Sequence, residues 1–388
     1  MDLAHLVAAA ERVLGDAFGQ TPRVSPGSAE GLGGRPHLHR LIVDGGPNGT
    51  PSSVIAKHVR VLDDQPSDSA GNKWRRQRFA TEWAALRFIT NVCDDPLSAP
   101  RVFGGDADVG FMLMEDFGTG TRLDHDLLSD DADRAADTMT ELFRTIARLH
   151  GQTMGHREPY RALVRRLELA DDHVEQSSPE PLENFVDLCD ALGVVSAAGF
   201  EAEFAGVLDR VTQAGPFDAL NHGDPGPDNC HWVDGELRLV DFEHARYGLV
   251  FRDGSFARGH FPTCWFVNRI PEHTWRAAEV AYRDELGRWN PRAADEAVFH
   301  SRMLDACAFY TWLTMTWYMP RILREDHNGG VSTVRQRTLL RFEQLVLSVQ
   351  EKGQLPAIGD TTRDVLDALR GRWPTVEPIP TTRLCNYS

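Results

Sequence analysis

The chain has 388 residues, with 41 Lys plus Arg against 57 Asp plus Glu and a formal net charge of −16 at pH 7. At about 150 residues per domain this is two or three domains or one large two-lobed body. A content of 41% hydrophobic and 25% charged residues excludes a disordered, collagen-like or membrane-embedded chain and predicts a soluble protein. The acidic balance argues against nucleic-acid binding, which needs a basic surface to neutralise phosphates. Cys93, Cys189, Cys230, Cys264, Cys307 and Cys385 are scattered, without a C-x-x-C pair, so a reducing, cytoplasmic setting is expected rather than a disulfide framework or a cysteine zinc site. No targeting signal or bilayer-length apolar run is visible, so no membrane association is expected, and no heptad pattern speaks to the oligomeric state.

Leu3, Leu6, Val7, Ala10, Val13, Leu14 and Phe18 recur at helical spacing and predict a helix over 2–18, closed near Gly19. After Gly31-Leu32-Gly33-Gly34, an apolar run over 38–43, a turn-rich stretch over 44–49 and a second apolar run over 53–59 predict strand, hairpin loop and strand. Polar residues 63–71 read as a surface insertion before a helix of about 74–92 marked by Phe79, Trp83, Leu86, Phe88 and Ile89. Short strands near Val102 and from Phe111 to Glu115 complete a sheet-containing N-terminal part, residues 1–117. Residues 118–370 read as mainly helical, with helical patterns near 132–150, 158–170, 180–213, 272–287, 295–319 and 330–351, and 371–388, with Pro374, Pro378 and Pro380, as a loosely held tail.

Residues 219–243 interrupt the helical part. They contain His222-Gly223-Asp224-Pro225-Gly226-Pro227-Asp228-Asn229 and then two apolar runs around Asp234-Gly235, the second ending in Val240-Asp241-Phe242-Glu243. Pro225 and Pro227 lack an N–H and bias their predecessors toward extended geometry, so a constrained loop rather than a helix is expected from Asp224 to Asn229. Asp-Gly between apolar runs predicts a type I′ hairpin that pairs Val233 with Glu236 and Cys230 with Leu239. Its open end then collects Asp224, Asp228, Asn229 and Asp241, oxygen groups suited to a hard divalent cation. In an ideal register Asp228, not Asn229, shares a face with Asp241, so either the strand begins after Asn229 or Asp228 is the second ligand.

Asp and Asn four residues apart, followed by a hydrophobic strand ending in Asp-Phe, is a protein-kinase spacing. Val54-Ile55-Ala56-Lys57 on a strand and Glu82 on the next helix supply the expected lysine and glutamate in order. Together these motifs resemble the aminoglycoside phosphotransferase and choline kinase family of small-molecule kinases, with H-G-D-x-x-x-x-N and then D-[FW]-[DE]. Met112 to Gly118 and Ala147-Arg148-Leu149-His150-Gly151 add weaker echoes, and the resemblance spans roughly residues 25–320.

The resemblance implies a bilobal, protein-kinase-like α+β fold, with a small antiparallel-sheet N-lobe and a mainly helical C-lobe, that uses ATP and Mg²⁺ to phosphorylate an alcohol of a small molecule. It implies Asp224 as catalytic base, Asp241 and Asn229 as metal ligands, Lys57 on the nucleotide phosphates with Glu82 holding its ammonium, and the backbone of Met114 and Asp116 against adenine. His222 reads as a tether of the loop, and Glu243 as either a neighbour of the metals or a plain strand-end carboxylate. The family's first hairpin carries a Gly-x-Ser-Asn-like loop over the phosphates, whereas this chain has glycines from Gly31 and then Arg35, Pro36 and His37.

Aromatic residues Trp265, Phe266, Trp275, Phe309, Tyr310, Trp312, Trp317 and Tyr318 crowd the region expected to meet the acceptor, and helical spacing assigns most of them to packing. The acidic balance, with Asp253 and Asp305, leans toward a cationic acceptor such as an aminoglycoside or amino alcohol; other antibiotics and sugars fit the motifs as well. Two other readings are a metal-dependent hydrolase built on His222, Asp224 and Asp241, with Asp228 and His231, and a nucleotide-binding pseudo-kinase. The first leaves Lys57 and Glu82 unused, and intact Asp224, Asn229 and Asp241 argue against the second.

Overall fold

A computed structural model describes residues 3–32, 35–59, 69–94, 97–106, 110–118, 120–127, 131–167, 181–264 and 269–381, with side chains left out at 181–185 and 313–318. The chain forms two compact units, each assembled from segments far apart in sequence.

Unit 1 joins Met1–Thr121, His156–Val174 and His231–Arg246. Its five-stranded antiparallel sheet runs in the order β1 (Arg23–Pro26), β2 (Leu38–Asp44), β3 (Ser53–His58), β5 (Phe111–Glu115), β4 (Val102–Asp106). Side chains alternate along a strand. Val54 and Ala56 therefore join Leu41, Val43, Phe111 and Leu113 in a core against Leu6, Ala10 and Leu14 of α1 (Leu3–Phe18), while Ile55 and Lys57 turn to the other face, paired with Met114 and Met112 of β5. Helix α2 (Ala70–Val92) starts where the Ser69 hydroxyl accepts the Asn72 N–H at 3.2 Å. It buries Phe79, Trp83, Leu86, Phe88 and Ile89, and Phe88 meets Tyr160 of α5 (Arg157–Arg166) edge-on at 5.4 Å.

The hairpin of β8 (Cys230–Val233) and β9 (Glu236–Leu239), with β6 (Thr121–Arg122), makes a three-stranded sheet. Its turn has positive φ at Asp234 and Gly235, 50° and 83°, as the Asp-Gly signal predicts. Leu239 N–H donates to the Ser98 carbonyl at 2.8 Å and ties β9 into unit 1.

Unit 2 is mainly helical: α3 (Leu123–Leu127), α4 (Ala132–Thr153), α6 (Pro181–Leu192), α7 (Phe200–Thr212), α8 (Phe251–Gly254), α9 (Glu272–Trp289), α10 (Glu296–Ile322), α11 (Val334–Lys352) and α12 (Pro356–Arg372), with β7 (Asp218–Asn221) paired to β10 (Arg246–Leu249). Phe143 of α4 packs on Tyr282 of α9, and Trp312 of α10 packs edge-on against Phe200 and Phe342. The α+β class expected from the sequence, an antiparallel sheet in the N-terminal part and helices in the C-terminal part, is the class observed.

Several elements differ from expectation. The single helix expected over 180–213 is two, broken where Gly193 and Gly199 take φ of 67° and 91°. Helix α12 was not expected, and Trp373 and Ile379 beyond it, expected on a loose tail, are buried. The Gln336 side chain donates to the Glu377 carbonyl there at 2.8 Å. The surface insertion expected over 63–71 falls mostly outside the described residues. Cys93, Cys189, Cys230, Cys264 and Cys307 are free thiols. Among the described residues no helix is long and apolar enough to cross a membrane.

Candidate active site

In unit 1, three groups predicted from sequence meet. Lys57 Nζ on β3 is ion-paired to Glu82 on α2 and lies 3.1 Å from Asp241 Oδ1. Glu82 is 1% and Lys57 8% exposed, so neither charge is dispensable: each removes the other's desolvation cost. Burial disfavours the ammonium, but Glu82 and Asp241 outweigh it and hold Lys57 above its ordinary range. Burial pushes the Glu82 carboxyl up, and Lys57 pulls it back. Asp241 follows β9 with φ of 68°, a left-handed conformation that costs a residue with a Cβ roughly 1–2 kcal/mol and that Asp tolerates better than most. The Ala245 N–H closes the turn onto the Phe242 carbonyl at 2.9 Å.

Around this set, Glu243 is held by Arg78, which also reaches His244. Burial, and then the Asp241 charge, raise the Glu243 carboxyl. Arg35 Nη1 stands 3.7 Å from Asp241 Oδ2. His37, whose carbonyl accepts the His58 N–H at 3.0 Å, has a buried Nδ1 with no hydrogen-bond partner among the described residues. Burial, then Lys57, Arg35 and His58, hold its imidazole down to about 4. Met114 lies in β5, and Asp116 just after it forms a bidentate pair with Arg40 at 2.7 and 3.1 Å. Burial raises the Asp116 carboxyl, but hydrogen bonds from Arg40, Ser53 and Gly118 reverse this and lower it.

In unit 2, the loop after β7 is fixed at nearly every polar atom. Asp253 on α8, fully buried, accepts the His222 N–H at 2.6 Å and the Gly223 N–H at 3.1 Å, and His150 Nε2 lies 3.5 Å from its Oδ2. Gly223 sits at φ 84°, where a side chain would be strained. His222 Nδ1 accepts the Asp224 N–H at 3.3 Å, in keeping with a tethering residue. The Asp224 carbonyl accepts the Gly226 N–H at 2.7 Å and the Asn229 Nδ2–H at 3.0 Å. The Thr263 hydroxyl donates to Asp224 Oδ1.

Thr263 is brought there by a turn in which two consecutive residues with side chains, His260 and Phe261, take φ of 51° and 50°. The Ile270 N–H donates to His260 Nδ1 at 3.0 Å, and Arg341 donates to the Pro262 carbonyl. Such strain persists only where its surroundings over-determine it.

The segment Pro227–Asn229 is a 3₁₀ turn, and β8 begins at Cys230. This corrects the expectation of a loop without helical geometry, because Pro at the first helical position gives up only an N–H that would be unpaired there. It also answers the register question in favour of a strand starting after Asn229. The Asp228 carboxyl is raised by burial first and then by the neighbouring Asp224 and Asp124 carboxylates, a repulsion that a bound cation relieves.

Asn229 spends its Nδ2 on the loop and keeps an amide oxygen, and Asp241 offers carboxylate oxygens; each group by its own chemistry suits a hard divalent ion such as Mg²⁺. Among the described residues no three His, Cys, Asp or Glu side chains form a metal-holding group.

The two acidic residues expected to meet a cationic acceptor are committed elsewhere. Asp253 holds the loop backbone, and Asp305 is bidentate to Arg210 at 2.7 and 2.9 Å. Of the aromatics, Trp312 and Tyr310 pack in the core and Trp275 lies under Arg258 and Arg276. Trp265 and Phe266, and the side chains of Trp317 and Tyr318, lie outside the described residues. Sequence reasoning set Asp253 beside the acceptor and missed it as the loop's anchor. No local pattern signals Thr263, which reaches Asp224 across 39 residues.

A lysine and glutamate on strand and helix beside a strand-end aspartate, with a separately braced His-Gly-Asp loop, define the class of small-molecule phosphotransferases. Residues 68–296 match the model of the phosphotransferase enzyme family, and the chain belongs to it. The protein-kinase-like fold class expected from the sequence motifs stands with this membership. A search of curated proteins finds no match. Similar solved structures include a macrolide 2′-phosphotransferase from Brachybacterium faecium, 15% identical over 83% of this chain and 96% of that one, TM-score 0.42. A choline kinase from Streptococcus pneumoniae is 13% identical over 89% and 99%, TM-score 0.40, and one from Cryptosporidium parvum 8% identical over 96% and 96%, TM-score 0.42. At this level of likeness the membership rests on the family match.

Proposed function

We propose that the chain transfers the γ-phosphate of ATP to a hydroxyl of a small molecule. The observation that carries this is the buried Lys57–Glu82 pair closed by Asp241, which holds an ammonium ready for phosphate oxygens in a place of low solvent access. Lys57 would bind the α and β phosphates, a task suited to a compact ammonium. The backbone of Met114 and Asp116 would meet the adenine, and Asp241 and Asn229 would hold Mg²⁺. When bound, the ion supplies charge neutralisation on the phosphate oxygens.

Asp224 would orient the acceptor hydroxyl and take its proton. The acceptor oxygen forms a bond to the γ-phosphorus, the bond from that phosphorus to the β,γ-bridging oxygen breaks, and its electron pair stays on ADP. Because the transition state is loose and charge-rich, positioning and electrostatics carry the catalysis. With Asp253 and Asp305 engaged, the lean toward a cationic acceptor loses its two named residues, and alcohol acceptors of any charge belong in a screen.

Consumption of Mg²⁺·ATP across a panel of alcohols, with calorimetric nucleotide binding, tests the proposal. Asp224→Ala is expected to lose transfer by roughly a hundredfold or more while nucleotide affinity stays within a few-fold. Lys57→Ala is expected to weaken both. Equal loss of nucleotide affinity in the two variants contradicts this division of roles.

A further inference from the structure

The sequence departs from its family where the first hairpin should cover the phosphates, and the structure puts a cation there. Hydrogen bonds link the described residues along the run from Ala29 to Leu38: Leu32 N–H donates to the Ala29 carbonyl at 3.2 Å, Arg35 N–H to the Leu32 carbonyl at 3.3 Å, and Leu38 N–H to the Arg35 carbonyl at 3.1 Å. From the middle of this run the Arg35 side chain, 45% exposed, reaches Asp241 Oδ2 at 3.7 Å, on the carboxylate whose other oxygen faces Lys57. Two cations thus share one aspartate. Lys57 has Glu82 as a second ion-pair partner, whereas Arg35 is ion-paired among the described residues to Asp241, with Glu243 acting on it at longer range. The buried Nδ1 of His37, two residues on, is a further unspent group at the same place.

We propose that Arg35 is the phosphate-cover residue of this enzyme: its guanidinium rests on Asp241 in the nucleotide-free protein and moves onto the terminal phosphate of a bound nucleoside triphosphate. The inference rests on the phosphotransferase reading above. A divalent cation held by Asp241 would weaken its attraction for Arg35, and the terminal phosphate of a bound nucleotide, whose oxygens match the planar fork of a guanidinium, would then compete for it. An arginine from the same chain placed there also meets the charge that spreads over the phosphoryl oxygens during transfer. Lys57, fixed by Glu82, serves the inner phosphates, so the two cations divide the nucleotide between them.

The test is calorimetric titration of the full chain with Mg²⁺·ADP and with the Mg²⁺ complex of the non-hydrolysable β,γ-imido analogue of ATP, for wild type, Arg35→Ala, Arg35→Lys and Lys57→Ala. Arg35→Ala is expected to bind the imido analogue roughly tenfold or more weakly, the range of a lost hydrogen-bonded charge contact, with ADP affinity kept within about twofold. Arg35→Lys is expected to recover part of the difference. Equal effects on the two nucleotides, or none, overturn the proposal. If wild type binds both and Lys57→Ala binds neither well while Arg35→Ala behaves as wild type, the phosphotransferase reading stands and the role of Arg35 falls. If wild type binds neither nucleotide, both fall.

Discussion

Asp253 shows how much the His-Gly-Asp loop depends on a residue outside its motif. Its carboxylate takes two backbone N–H groups, from His222 and Gly223, in a place with no solvent. Removing it strands both donors, and a buried unsatisfied polar group costs about 1–3 kcal/mol. Asp253→Ala is therefore expected to lower stability by about 2–5 kcal/mol and to abolish transfer, read by chemical unfolding and ATP consumption. Asp253→Asn, which keeps one acceptor oxygen, should lose less stability. A variant as stable as wild type would mean that the loop's conformation does not depend on this anchor. The sequence singled out Lys57, Glu82, Asp224, Asn229 and Asp241 as candidates because kinase-type spacing is local, and of these Lys57, Glu82 and Asp241 meet in the structure. It left Asp253 and Thr263 ambiguous or unseen because their partners lie 30 or more residues away.

At the level of elements, the strand β4 carries Gly104 and Gly105 because its partners leave no room. A Cβ on Gly105 would lie 2.3 Å from the Phe111 carbonyl oxygen, 2.8 Å from Met112 Cα and 2.9 Å from the Trp83 ring. Backbone must give way, and Met112 is the residue paired with Lys57 across β5 and β3. Gly105→Ala is expected to cost about 1–3 kcal/mol, the usual penalty of overpacking, and to weaken nucleotide binding through the displaced Lys57. Gly248→Ala, where a Cβ meets nothing within 4 Å, is the control and should stay within about 0.5 kcal/mol. Comparison of the two melting curves settles it.

Helical spacing marked α1 and α2, and apolar runs bounded by turn residues marked β2, β3 and β5, the last two buried on both faces. These patterns missed the break between α6 and α7, where apolar spacing carries across two glycines, and they missed β1, whose four residues bury only Val24.

For the molecule as a whole, a buried histidine sets part of the response to acid. His260 is 2% exposed, and its Nδ1 accepts the Ile270 N–H, which requires that nitrogen unprotonated. Burial first, then Arg269, Arg337 and Arg341, hold it down to about 3. Between pH 6.5 and about 3 the unfolded chain binds a proton that the folded one does not. Stability then falls as pH drops through this window, by at most about 1.4 kcal/mol per pH unit from this group. His260→Asn keeps a hydrogen-bond acceptor and tolerates the left-handed backbone. Its unfolding free energy should fall less steeply than wild type between pH 6.5 and 4.5, and parallel slopes would show that His260 does not carry this loss.

The sequence by itself determined the α+β class, placed the lysine on a strand and the glutamate on a helix, and marked the aspartates and asparagine of residues 224–241 as candidates, because periodicity, Pro and Gly geometry and motif spacing act over a few residues. Tertiary structure alone decided the grouping of residues 231–246 with the N-terminal sheet, the seating of Asp241 against Lys57, and the engagement of Asp253, Asp305 and Arg35. These depend on which charges burial forces to find partners, and a partner 184 residues away leaves no trace in local pattern.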